Sequence, residues 1–66
     1  MSEEIQNFIS DLKEVNARLD YALECVKSLQ FYLEKKDYQE ALKIADLVDM
    51  WIRLALNRLD VVLRRV

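Results

Sequence analysis

Cys25 is the single thiol of a 66-residue sequence that contains no histidine, glycine, proline or threonine. Nucleophilic and general acid–base catalysis draw on His, Cys, Ser or paired carboxylates gathered in a pocket, and only scattered members of that set are present. Cys25 falls beside an apolar helical seam, where a small packed or half-exposed thiol is the expected role rather than a redox or catalytic one. Carboxylate di-metal sites in helical bundles need inward Glu and Glu-x-x-His, and neither apolar seam described below contains an acid. No metal, cofactor or enzymatic activity is therefore expected. Asn16 and Gln30 flank the core of the first helix, where they suit interhelical register or hydration better than ligand binding.

The basic residues that could meet phosphate are Arg53, Arg58, Arg64 and Arg65. Asp49 and Asp60 interrupt them, and the first helix through Glu34 carries seven acids against three bases. With a formal charge of −2 the chain has no general attraction for nucleic acid or anionic lipid.

These side chains must be carried by helices. The sequence is 53% hydrophobic and 33% charged, and it lacks the strongest helix breakers. With Ile5 as heptad position a, Ile5, Leu12, Leu19, Val26 and Leu33 fill a, while Phe8, Val15, Ala22 and Leu29 fill d. Continuing that phase selects Lys36, Glu40, Lys43, Asn57 and Arg64 among its next positions, so it breaks. Restarting at Tyr38 restores it: Tyr38, Ala45, Ile52, Leu59 and Val66 occupy a, and Ala41, Val48, Ala55 and Val62 occupy d. The five-residue step from Leu33 to Tyr38 is neither a stutter nor a stammer. It predicts a turn.

Asp37 can cap a second helix, with Glu40 at the capping-box position three residues on. Lys35 and Lys36 suit the negative end of the first helix, and Lys36 is expected to take the left-handed conformation that glycine would adopt more cheaply. Ser2 is a candidate N-cap followed by Glu3 and Glu4, and Arg64 and Arg65 close the second helix. An antiparallel hairpin would bring these opposite charges together. The fold class expected is all-α: one hairpin domain over residues 1–66, with helices at about 3–35 and 38–65 joined by a turn at about 35–37.

The stretch "YLEKKDYQEAL", followed by Trp51, resembles helix-hairpin sequences of the form "EKGDYxxAL". Such sequences occur in tetratricopeptide-type repeats and in a small archaeal family of helical proteins with no assigned function. The likeness covers about thirty residues, carries Lys36 where those relatives have glycine, and lacks the 34-residue repeat of a tetratricopeptide array. It implies an all-helical domain, leans toward archaeal origin, and implies no activity.

A chain this short buries only ~60% of its unfolded surface, so an isolated hairpin is marginal and oligomerisation is expected. The second helix carries more apolar residues than one neighbour can cover. Leu47, Met50, Trp51, Leu54 and Val61 are placed on a side turned away from the intramolecular seam and form the expected oligomer interface. At ~1.5–3 kcal/mol per large apolar side chain, leaving such residues wet forgoes much stability, so a homodimeric four-helix bundle is the expected assembly. Tyr21, Phe31 and Tyr32 lie partly off the seam, the last two packing around the turn.

The function expected is a non-enzymatic interaction or regulatory module, with itself and another protein as partners. The alternative is an RNA- or DNA-binding regulator built as a dimer of hairpins, using Arg53, Arg58, Arg64 and Arg65. No apolar run approaches the ~20 residues needed to span a bilayer, and the acidic, periodic opening is unlike a secretory signal, so a cytoplasmic location is expected.

Overall fold

The computed structural model describes residues 2–65. Two helices, α1 (Ser2–Glu34) and α2 (Tyr38–Arg65), lie antiparallel as a hairpin. The body is 53 Å long and 15 × 11 Å in section, a layer one helix thick. The cap expected from the Ser2 side chain and the a position assigned to Val66 fall outside what is described.

The turn is made without glycine because the amides that close the first helix are paired. Lys36 has φ 60°. Its N–H donates to the Leu33 carbonyl at 3.1 Å, and the Asp37 N–H donates to the Tyr32 carbonyl at 3.0 Å. This is the paired 5→2 and 6→1 bonding of a Schellman motif, with a left-handed penalty of roughly 1 kcal/mol accepted at Lys36. Asp37 then starts α2: its carbonyl accepts from the Ala41 N–H at 3.0 Å, and its carboxylate accepts from the Glu40 N–H at 3.3 Å. One residue thus ends one helix and caps the next. The reciprocal half of the capping box does not form. The Asp37 N–H is already spent on Tyr32, and the Glu40 carboxylate lies 3.8 Å from Lys43 Nζ instead. Phe31 and Tyr32 do pack at the turn, edge to face at 5.2 Å, with the Lys35 ammonium 4.9 Å from the Phe31 ring centre.

The seam between the helices is narrower than the heptads suggest. Val15, Ala22, Ala41, Ala55 and Val62 are buried, and all five are d residues. The a residues Ile5, Leu12, Leu19, Leu33, Tyr38 and Ile52 stay open to solvent. Alanine at d lets the helix axes approach closely, and two helices alone offer only one line of contact. Rotation that sinks d and the neighbouring g flank therefore swings a outward.

Candidate interaction surfaces

The g flank is ionic. Asp11, which the apolar heptad account leaves out, is the charged residue buried among the described residues. Its carboxylate accepts from Arg58 Nη1 at 3.3 Å and from Arg65 Nη1 at 2.6 Å, across the two helices. Arg58 also reaches Glu14 at 3.8 Å. Arg18 bridges the helices differently, donating to the Leu54 backbone carbonyl at 2.6 Å and to Glu14 at 2.6 Å. The a/d seams hold no acid, but the g position beside them buries one, Asp11, which the seam-based reading did not consider. The signal was present in the sequence: Arg58 and Arg65 are seven apart in the second register, and antiparallel helices bring g opposite g.

The expected meeting of Glu3 and Glu4 with Arg64 and Arg65 takes another form. Arg65 is engaged by Asp11, and Arg64 pairs with Asp60 at 3.1 Å within its own helix. Glu4 and Arg65 still face one another across an open hollow of about 420 Å³ that Asn7 and Phe8 also line.

Trp51 is not turned away from α1. It is half-buried, and its ring stacks on Tyr21 at 4.7 Å between centroids and 23° between planes. The reason is again the seam's rotation, which draws the g residues of α2 inward. Leu54 is half-buried beside it under Arg18. Of the five residues expected to form an oligomer interface, Leu47, Met50 and Val61 remain exposed, at 42, 41 and 38%. The five are therefore split between an intramolecular contact and a thin outer strip.

The larger apolar surface lies on the opposite flank. In α1 the a and e positions hold exposed Ile5, Ile9, Leu12, Leu19, Leu23 and Leu33, and in α2 they hold exposed Tyr38, Leu42, Ile52, Leu56 and Leu63. Those eleven are most of the hairpin's exposed large apolar residues. In an antiparallel pair the a/e sides of both helices share one face, and they do so here. Leu33, Tyr38, Leu42 and Ala45 line a single apolar hollow of about 240 Å³, with Leu29 and Ala41 at its base. Asn16, Gln30 and Asp49 are the polar interruptions of this face.

The four arginines offered for phosphate contact do not converge. Arg53 is held by Asp49 at 3.0 Å, Arg64 by Asp60, and Arg58 and Arg65 by Asp11. They occupy b, g, f and g positions, so they spread around α2 instead of lining one stripe. Cys25 is a free, half-buried thiol. Among the described residues, no group of three or more Cys, Asp or Glu side chains is placed to hold a metal ion, and no helix is long and apolar enough to cross a membrane.

The class defined so far is an antiparallel helical hairpin with one ionic flank and one open apolar face. No protein family, curated protein or solved structure matches the chain.

Proposed function

We propose that this hairpin is a non-enzymatic interaction module that acts by self-association, two copies forming a four-helix bundle, with the remaining surface available to another protein. The observation that carries this is the a/e face. Six large apolar residues of α1 and five of α2 lie exposed along one side of a layer a single helix thick. Exposed apolar residues gathered on one face on that scale, with Asn16, Gln30 and Asp49 as the polar interruptions, support an association site.

The size of the surface agrees. The hairpin exposes 5389 Å². A compact protein of 7.9 kDa exposes about 4,400 Å², so the excess is about 1,000 Å², and each partner in a standard interface buries about 800 Å².

Nucleic-acid binding through Arg53, Arg58, Arg64 and Arg65 is the weaker proposal, because each guanidinium already faces a carboxylate within 4 Å. Phosphate contact would have to break those pairs. Light scattering across a dilution series tests the first reading: twice the chain mass, with helicity falling as the complex dissociates, is expected. A stable single-hairpin mass with undiminished helicity would sink it. Submicromolar RNA binding at ~150 mM salt that disappears in Arg64→Glu/Arg65→Glu would instead establish the nucleic-acid role.

A further inference from the structure

We infer that the a/e face is covered by a second copy of this chain turned end for end, so that the two turns lie at opposite ends of the bundle. The inference rests on the self-association proposed above and adds which face is used and in which direction the copies run.

Two layers packed face to face can be related by a two-fold axis along the helices or by one across them. The first puts both turns at the same end. The second puts them at opposite ends. The hairpin's relief distinguishes these. Near the turn the face has a shallow, open hollow of about 240 Å³ over Ala41 and Ala45, rimmed by Leu33, Tyr38 and Leu42, and its lining is almost wholly apolar. Toward the open end the same face carries the exposed side chains of Ile5 and Ile9.

With both turns together, hollow faces hollow and bulk faces bulk. Two open hollows set against each other would leave a gap at an interface whose packing should match a protein interior. With the copy reversed about the hairpin's midpoint, the levels match. Residues at one height on the two helices have numbers totalling 72, as Arg18 with Leu54 and Tyr21 with Trp51. Reversal about the middle of α1 carries Ile5 and Ile9 of one copy to the level of the other's hollow between Leu29 and Leu33, and the operation is reciprocal. Each copy supplies the bulk and each supplies the hollow, as an isologous interface requires.

The partner is thus chosen by shape as well as by area. The ionic flank takes no part, since Asp11, Arg18, Arg58 and Arg65 satisfy one another or the Leu54 carbonyl within one chain.

Dipolar electron spin resonance on the full chain tests this. In a Cys25→Ala background a single label at Lys35→Cys sits on the exposed turn. Reversed copies place two such labels on the order of 50 Å apart, close to the 53 Å length of the hairpin. Copies with turns together place them roughly 20 Å apart, about two interhelical spacings. A mixture of copies labelled at Lys35→Cys with copies labelled at Arg64→Cys should show the converse, a short distance between turn and open end. A short Lys35–Lys35 distance would overturn the reversed arrangement and leave self-association standing. Absence of any coupling between copies, with the mass of one hairpin, would overturn both. Both substitutions lie on exposed residues, and circular dichroism checks that the labelled chains keep their helicity.

Discussion

Asp11 holds two guanidinium groups that come from points seven residues apart on the other helix, and its carboxylate is shielded from water by the seam it helps close. Exposed ion pairs such as Arg64–Asp60 sit one turn apart on a single helix and contribute little beyond local helix stability. Asp11 instead ties α1 to α2. Asp11→Asn removes the charge that Arg58 and Arg65 face and should cost on the order of 1–3 kcal/mol, whereas Asp60→Asn should change stability by less than ~0.5 kcal/mol. Urea unfolding at matched protein concentration measures both. Equal midpoints for the two variants would show that the interhelical pair adds nothing. Trp51 gives a second local readout: with Tyr21 stacked on its ring, Tyr21→Ala should expose the indole and red-shift its emission.

At the scale of the element, the turn works because the amides of Lys35, Lys36, Asp37, Glu40 and Ala41 each find an acceptor. Lys36 alone is in an unfavourable conformation there. Lys36→Gly should therefore raise stability by roughly 0.5–1 kcal/mol, and Lys36→Val should lower it, since a β-branched residue tolerates positive φ poorly. Asp37→Ala removes the cap that receives the Glu40 N–H and should cost about 1 kcal/mol. Glu40→Ala should cost far less, because Glu40 does not return the capping bond to Asp37. A loss at Glu40 equal to that at Asp37 would mean that the reciprocal box forms in solution.

For the whole molecule, two flanks of one thin layer have opposite characters. Leu56→Glu places a carboxylate on the a/e face and should weaken self-association at least tenfold, with helicity falling in parallel at low concentration. Leu47→Glu, on the outer strip of α2, should change association little. Sedimentation equilibrium on the two variants decides between the faces. If Leu47→Glu were the more damaging, the interface would lie with Met50 and Val61 instead.

The amino-acid sequence by itself determined the hairpin. Two apolar heptad runs out of phase by five residues, and Asp37 placed before an apolar-periodic run, leave one helix, one turn and one helix as the consistent solution, and even the left-handed Lys36 could be read from it. Those features are local, set by period and capping within a few residues. What only the tertiary structure decided is the rotation of each helix about its axis. Heptads rank a and d alike, and the choice to sink d and g while exposing a and e depends on contacts between residues 30–54 positions apart: Tyr21 with Trp51, Arg18 with Leu54, Asp11 with Arg58 and Arg65. That rotation moved Trp51 and Leu54 from the expected outer interface to the intramolecular seam. It also gathered the apolar residues of both helices on the one face that a second chain can cover, because a single line of helix contact cannot bury two stripes at once.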